Sequence, residues 1–272
     1  MILSKRFMAL IVVSILIFTG SMLVVQSKKI AQPLVIPLGV QLLYEHATDD
    51  SFTISYIVNR DEQINLSYVN VGGLQLSAHQ FPDVRTFNIF FLPTDNIVNK
   101  YIYYDLKSVK VDVREENRDV LKQLAQQEVQ ATAVFSNGAT FSFPLQLEFR
   151  KHPKDQILIG KSSNDMDGDS LSTFTTNEAI VIEEIKTTFP RAKIQLLKKE
   201  QVLTLPYKAQ KGEQLNVRIS HNYLYKDAMT NHAVFYGKTQ SGENFSEEMI
   251  IEASDFPPEQ WIENFVEEAG GN

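Results

Sequence analysis

The chain has 272 residues, with 26 Lys and Arg against 33 Asp and Glu, and it contains no cysteine. The absence of cysteine excludes disulfides, thiolate metal sites and cysteine nucleophiles. Four of the bases belong to the first 29 residues, which contain no acid, so the rest of the chain carries a net charge of about −11. That balance argues against binding to nucleic acid or to anionic lipid, because both require basic patches.

The first element is an apolar segment without charge that runs from Phe7 to Val25. Its length matches a helix that crosses the hydrocarbon core of a bilayer, which is about 30 Å thick. Lys5 and Arg6 precede it and favour an N-terminus in the cytoplasm, with the bulk of the chain outside. We therefore predict an uncleaved single-pass anchor in the cell membrane. The alternative is cleavage near residues 25–27, which would release a secreted protein.

Alternation of apolar and polar residues dominates the next part of the chain and predicts strands with one buried face. The clearest case runs from Phe141 to Phe149, where Pro144 on the polar side indicates a position near a sheet edge. One short helix interrupts the strands, with Asn117 as its expected N-cap.

A second run of short alternating strands follows, and it resembles the first. Residues 136–142 are similar to residues 240–246, each with a glycine in a predicted tight turn between hairpin strands. Residues 52–69 and 174–185 also share a strand, an Asn beside acidic residues and a second strand. These similarities predict two copies of one β-sandwich. The alternative is that two unrelated hairpins share common turn chemistry.

The predicted fold is mostly β: an N-terminal transmembrane helix, two β-sandwich domains of Ig-like type, one short inserted helix and a short C-terminal helix. The predicted bounds are a cytoplasmic N-terminus over 1–6, a signal-anchor over 7–25, a tether over 26–37, sandwiches over 38–151 and 156–253, and an acidic amphipathic tail helix over 254–272.

Alternating carboxylates form the best candidate for a metal site, with Asp165, Asp167 and Asp169 as possible Ca²⁺ ligands. An EF-hand loop also requires a Glu at its twelfth position, where this chain has Phe174 or Thr176, depending on where the loop begins. We therefore favour a solvated acidic linker between the domains, and we expect no cofactor.

No catalytic motif is apparent, since the five histidines include no pair at the helical zinc spacing and no Gly-x-Ser-x-Gly elbow is present. The favoured hypothesis is a membrane-anchored, extracytoplasmic module for binding or envelope assembly that is not an enzyme and has a protein partner in the envelope. The alternative is a cell-surface hydrolase with a site between the two β domains.

The spacing of apolar residues in the tail, residues 254–272, predicts a helix with an acidic face and an opposite apolar stripe. The stripe is formed by Trp261, Ile262, Phe265 and Val266. An anionic membrane would repel the acidic face. We expect the stripe to dock on the second domain, which contains many lysines. The alternative is that these four residues bind the groove of a partner.

Overall fold

A computed structural model describes residues 5–44, 50–79, 97–125, 129–150, 156–166, 169–187, 193–220, 231–251 and 257–270. Within these ranges the side chains of residues 5–10, 42, 44, 79, 150, 161–166, 169, 170, 231, 232, 250, 251 and 270 are not described. The chain is 55% strand, which confirms the prediction of a mostly β protein. In this part of the chain, no helix is long and apolar enough to cross a membrane.

The described elements are three helices and eighteen strands. The helices are α1 Lys5–Ser27, α2 Glu115–Leu124 and α3 Glu259–Gly270. The first nine strands are β1 Leu34–Val35, β2 Val40–Tyr44, β3 Asp50–Asn59, β4 Leu66–Val71, β5 Leu74–His79, β6 Ile97–Lys100, β7 Tyr104–Val113, β8 Val129–Phe135 and β9 Thr140–Arg150. The other nine are β10 Leu158–Met166, β11 Asp169–Thr176, β12 Ile180–Thr187, β13 Lys193–Lys198, β14 Gln201–Val202, β15 Tyr207–Ala209, β16 Gln214–Ser220, β17 Asn231–Thr239 and β18 Asn244–Ile251.

The first nine strands form one continuous sheet that folds over on itself, which we call the N-terminal sandwich. Its order is β1-β3-β7-β5-β4-β8-β9-β2, with β6 on the side of β7. Strand β5 joins the halves because it pairs with β4 and also with β7 at Ala78 and His79. The two inner faces share one core, in which the rings of Tyr56 and Phe135 lie 5.2 Å apart. Alternate residues of each strand fill this core.

The remaining strands form two sheets, which together make the C-terminal sandwich. One has the order β10-β11-β16-β13-β14 and the other β15-β12-β17-β18. Their inner faces share a second core, in which Phe174 of the first sheet contacts Phe235 of the second with ring centroids 4.9 Å apart. Edge-to-face aromatic pairs of this kind add to the stability gained from burial.

The two sandwiches have corresponding strand orders. Strands β1-β3-β7-β6 correspond to β10-β11-β16-β13, and β4-β8-β9 correspond to β12-β17-β18. These sets match the A-B-E-D and C-F-G sheets of an Ig-like sandwich. The hairpin turns also agree: Gly138 and Gly242 have φ of 82° and 85°, and each donates a backbone hydrogen bond to the residue three before it. The similar sequences of these turns therefore correspond to similar backbones.

Two segments differ from their predicted roles. The predicted tether over 26–37 is largely structured, because Ile30, Leu34 and Ile36 are buried and β1 lies within it. The predicted acidic linker lies inside the C-terminal sandwich, where β10 and β11 form a hairpin with Met166 opposite Asp169. Alternation did not reveal these strands, because it is hard to detect in very short strands and in strands rich in Ser and Asp.

Helix α2 also starts earlier than predicted, with Arg114 rather than Asn117 at the N-cap and without a side-chain cap. Glu115 and Glu116 occupy its first turn instead, where acidic side chains interact favourably with the helix dipole.

The two sandwiches lie beside each other. Strand β9 leads about 35 Å away from its start at Thr140, and near its far end Glu148 accepts a 2.5 Å hydrogen bond from the Tyr236 hydroxyl of β17. Strand β18 then ends at Ile251, and the six residues from there to Pro257 span at most about 20 Å. Pro257 accepts a hydrogen bond from Tyr101, which lies just before β7 at the opposite end of the N-terminal sandwich, so the C-terminal sandwich must fold back alongside it.

Gly237 in β17 offers a test of how β17 packs against β12. A Cβ at this position would clash with the carbonyl group of Val181 and would lie 3.0 Å from the ring of Phe245. We expect Gly237→Ala to destabilise the protein by about 1–3 kcal/mol, because the backbone of β12, to which β17 is hydrogen-bonded, cannot move away from the added methyl group. Urea denaturation would measure the effect. Lys238→Ala, at an exposed neighbouring position, is the control; equal effects of the two variants would contradict the packing.

Candidate functional site

Helix α3 packs against the outer face of the N-terminal sandwich, on β3 and β7. Trp261, Ile262 and Val266 are 3%, 0% and 7% exposed, and Phe265 is half-buried. They form one cluster with residues that lie on the face of the sheet opposite the main core, or in the segment after α1: Ile30, Leu34, Ile36, Ile57, Tyr101, Tyr104 and Leu106. The apolar stripe predicted for the tail is therefore covered by the chain itself.

Two polar contacts fix the start of α3. The hydroxyl of Tyr101 donates a 2.7 Å hydrogen bond to the carbonyl oxygen of Pro257, and the backbone N–H of Ile102 donates one of 2.7 Å to Glu259. Within the helix, Trp261 and Phe265 stack at 5.3 Å with their planes 13° apart, as expected for aromatic residues one turn apart.

The other end of α3 binds the residues that follow α1. The ammonium of Lys28 lies 3.5 Å from Glu263 and 3.0 Å from Glu267. The Tyr104 hydroxyl donates a 2.6 Å hydrogen bond to the carbonyl oxygen of Lys28. We call α3, Lys28, Ile30, Asn59 and Tyr104 together the root clamp, because they hold the residues at the exit of α1.

Asn59 completes the root clamp, because its side chain pairs with the backbone of Ile30 as the backbone of a neighbouring strand would. Its side-chain oxygen accepts a hydrogen bond from the N–H of Ile30 and its amide group donates one to the Ile30 carbonyl, both at 2.9 Å. Its side-chain amide also donates a 3.0 Å hydrogen bond to Glu62. A buried amide requires such partners, since an unsatisfied polar group in the interior is costly.

The electrostatics of the root clamp favour the protonated forms of two groups. The hydrogen bond to Glu267 raises the pKa of Lys28, more than burial lowers it, and the charge of Glu263 adds to the effect. Burial raises the pKa of the Tyr104 phenol, and the nearby Lys28 charge opposes this. Both groups therefore keep their protons, and their hydrogen bonds, at neutral pH.

The structure corrects the surface on which the tail was expected to dock. The prediction relied on a set of basic residues of the second domain, but two of these already have acidic partners: Lys186 with Glu184 and Lys198 with Glu213. The apolar residues Ile57 and Leu106, on the outer face of the first sheet, provide the surface instead. That Trp261, Ile262, Phe265 and Val266 bind a partner remains a prediction, and it would require α3 to leave this surface.

A second candidate surface was not identified from the sequence. It is the outer face of β5-β4-β8-β9, which we call the neutral face. Its cross-strand rows follow from the register: Ser77 with Tyr68, Val134 and Thr140; Gln75 with Asn70, Thr132 and Ser142; Gln130 with Pro144; and beyond them Gln146. All eleven side chains are exposed or half-exposed, and none carries a charge. The neutral face ends at Gln146, because the next side chain on this side of β9 is the carboxylate of Glu148, which is bonded to Tyr236.

The corresponding face of the C-terminal sandwich, on β12-β17-β18, is different in character. It carries Glu183, Lys186, Lys238 and Glu248, and the ammonium of Lys186 lies 4.8 Å from the ring centre of Tyr236. Because the two sandwiches correspond in strand order, the absence of charge on the neutral face is not a consequence of the fold. The sequence did contain a sign of the neutral face, since the outward positions Ser142, Pro144 and Gln146 of the alternating strand are all uncharged.

A polar cluster in the C-terminal sandwich has a structural role. Glu213 accepts hydrogen bonds from the Tyr207 hydroxyl at 2.6 Å and the N–H of Gln210 at 2.7 Å, and it pairs with Lys198 at 2.8 Å. Burial acts to raise the pKa of Glu213, but these hydrogen bonds, led by that from Lys198, bring it below its ordinary value. The carboxylate therefore holds the turn before β16.

The residues of the predicted Ca²⁺ site and the histidines lie largely outside the described residues. Asp167 and the side chains of Asp165 and Asp169, the candidate Ca²⁺ ligands, lie outside the described residues. Among the side chains that are described, no group of three His, Asp or Glu could hold a metal ion. All five histidine side chains also lie outside the description. The hydrogen bond from Tyr236 to Glu148 is a contact between the two sandwiches.

Comparison with known proteins gives no family. No family model matches the chain, and no curated protein matches it. Among solved structures, it is similar to the tri-modular endo-β-1,4-glucanase B (Cel5B) of Bacillus halodurans, with 9% identity and a TM-score of 0.26 over 81% of this chain and 36% of the glucanase. The N-terminal periplasmic domain of ScsB from Proteus mirabilis has 10% identity and a TM-score of 0.21, over 78% of this chain and 92% of that one. The tandem Ig repeats of Dlar have 11% identity and a TM-score of 0.22, over 81% and 97%. The strand orders and the two cores of this chain themselves define its fold.

The docking of α3 can be tested at Ile262, which is fully buried against the N-terminal sandwich. We expect Ile262→Ala to lower the free energy of unfolding by about 2–5 kcal/mol, through lost burial and the cavity left behind. Val120→Ala on α2, where the side chain is 40% exposed, is the matched control and should have little effect. Urea denaturation followed by Trp261 fluorescence would measure both. An unchanged midpoint for Ile262→Ala would contradict the docking.

The root clamp should also weaken at alkaline pH. Folding raises the pKa of Lys28 and of Tyr104, so the stability that they contribute is complete below their ordinary pKa values. It is lost as the pH rises through the raised values. We therefore expect Trp261 emission to shift to the red above about pH 10.

The control for this prediction is a variant that lacks both titrating groups. Combining Lys28→Met with Tyr104→Phe should reduce the alkaline change in Trp261 emission. If the double variant shows the same transition at the same pH, other groups cause it.

Proposed function

We propose that this protein is a membrane-anchored, extracytoplasmic module for binding or envelope assembly, that it is not an enzyme, and that its neutral face receives a protein partner. The observation that carries the proposal is the neutral face itself, eleven exposed or half-exposed side chains on four strands that include no charged residue before Glu148, near the far end of β9. In a chain with 22% charged residues, such a surface calls for a functional reason.

The neutral face has the chemistry of the buried part of a protein interface. The central parts of interfaces are depleted in charged residues, because a charge must lose its hydration when it is covered. Hydroxyl and amide groups can exchange water for hydrogen bonds to a partner. Thr132 and Ser142 already lie 3.3 Å apart across the strands, so each can offer its remaining hydrogen-bonding capacity outward.

The size of the neutral face favours a transient partner. Four strands about 4.8 Å apart and a length of about 20 Å give roughly 300–400 Å². A stable interface buries about 800 Å² on each partner, so the neutral face alone suits a weak or regulated contact.

The anchoring part of the proposal is supported by α1. Its described side chains beyond residue 10 include eleven large apolar residues that are at least 40% exposed: Ile11, Val12, Val13, Ile15, Leu16, Ile17, Phe18, Met22, Leu23, Val24 and Val25. These side chains lie on all sides of the helix, which is the pattern of a helix that contacts lipid. The bases at positions 5 and 6 favour a cytoplasmic N-terminus.

The root clamp gives the anchor a function beyond retention. Because Lys28 and Ile30 are bonded directly to the N-terminal sandwich, the residues after α1 do not form a free linker. The module would therefore present its neutral face at a fixed height and angle to the membrane, which reduces the entropy lost when a membrane-bound partner binds.

Site-specific photo-cross-linking in intact cells would test the proposed surface. A photoreactive residue at Ser142 should give a discrete adduct in the membrane fraction, and Gln130→Lys in the same chain should abolish it by introducing a charge that must be desolvated. The matched control places the photoreactive residue at Asn244, which is exposed on the corresponding strand β18. Equal adducts from positions 142 and 244, or adducts that survive Gln130→Lys, would contradict the assignment of the neutral face.

A further inference from the structure

The root clamp has a defined height relative to a bilayer that α1 would span. The apolar run ends at Val25, and the N–H of Lys28 still bonds to the carbonyl of Val24 at 3.3 Å, so the helical spacing continues to Lys28. Three residues at 1.5 Å each place Lys28 about 4.5 Å beyond the hydrocarbon core. The headgroup layer on each side is about 5–7 Å thick, so Lys28 lies within it.

The contacts of Lys28 bring other parts of the fold to the same height. Glu263 and Glu267 of α3 lie within 3.5 Å of its ammonium, and the Tyr104 hydroxyl lies 2.6 Å from its carbonyl oxygen. If α1 spans a bilayer, helix α3 and the start of β7 would therefore lie at the membrane surface, at the exit of α1. The apolar core of this region faces the sandwich rather than the lipid.

A short segment next to α3 adds an exposed apolar side chain to this end of the molecule. Ile102 is 60% exposed, between two tyrosines that precede β7. Its backbone is fixed on both sides: Arg60 donates hydrogen bonds to the carbonyls of Tyr101 and Ile102 at 3.2 and 3.3 Å, and Glu259 accepts one from the Ile102 N–H. The exposed side chain of Ile102 thus belongs to a loop whose backbone is fixed by Arg60 and by Glu259 of α3.

We propose that α3, Lys28, Lys29 and residues 100–104 form a foot that sits in the phospholipid headgroup layer, with Ile102 inserted among the headgroups. This inference rests on the proposed membrane anchoring. The partner is the lipid surface itself, and aromatic residues with an apolar neighbour are typical of that layer. Because acids of α3 neutralise or exceed the nearby lysines, the foot suits zwitterionic lipid rather than anionic lipid.

Two single-cysteine variants of the full-length protein test the foot, since the chain has no other cysteine. Ile102→Cys places an environment-sensitive fluorophore in the foot. Val202→Cys places it at another exposed aliphatic position, 51% exposed, on β14 at the end of the C-terminal sandwich remote from Ile251 and α3. Both proteins are reconstituted in phosphatidylcholine vesicles that contain a phosphatidylcholine with a nitroxide quencher on its headgroup.

We expect both proteins to float with the vesicles, strong loss of fluorescence and a blue-shifted emission at position 102, and little change at position 202. If the proteins float but the two positions are quenched equally, the foot is wrong and the membrane anchor stands. If the proteins do not float, both the anchor and the foot are wrong.

The single tryptophan provides a second measurement without a substitution in the foot. Trp261 lies in α3, so energy transfer to a dansyl group on phosphatidylethanolamine headgroups should be efficient in the unmodified protein. Moving the only tryptophan away, by combining Trp261→Phe with Val202→Trp, should reduce the transfer. Equal transfer from the two proteins would overturn the foot even if labelling perturbed the fold at position 102.

Discussion

The contact between α3 and the outer face of β3 and β7 is the interaction on which the arrangement of the whole chain depends. It buries Ile262 against Ile57 and Leu106, and it brings the last helix to the residues that follow the first one. Since α3 follows β18 by a short connection, the same contact requires the C-terminal sandwich to lie beside the N-terminal one. Without this contact, the residues at the exit of α1 would no longer be held against the N-terminal sandwich. The two sandwiches would also no longer be held beside each other.

That contact needs a rigid support, which the inner face of β7 provides through two buried charges. Lys107 donates hydrogen bonds of 3.1 Å to the carbonyls of Glu62 and Ile64, and Asp105 accepts one of 2.9 Å from the N–H of Asp61. Both side chains are fully buried, so each depends on these partners. The loop between β3 and β4 is thereby fixed beneath the surface that receives α3.

The sequence predicted the parts of the fold that depend on local pattern. Alternation located β3 and β9, and the apolar stripe located α3, because a buried face follows directly from residue spacing. Helix α3 docks on Ile57, whose neighbours Tyr56 and Val58 belong to the main core, and on Leu106, which lies between the buried charges of Asp105 and Lys107. Because both faces of these strands are buried, the residue pattern does not show which face receives α3. The neutral face was missed for a related reason: its rows join four strands, and only the register aligns them.

The proposed foot and the proposed role of the neutral face together restrict what kind of partner would bind. The turn between β8 and β9 lies at the end of the sandwich near the root clamp, since Ser136 bonds to Asn65 beside the buried Lys107. The neutral face begins next to this turn, at Thr140, and extends about 20 Å from it to Gln146. If the foot rests among the headgroups, a partner must approach within roughly 30 Å of the bilayer. A partner anchored in the same membrane meets that condition more readily than a freely diffusing protein, because its effective concentration at this height is higher.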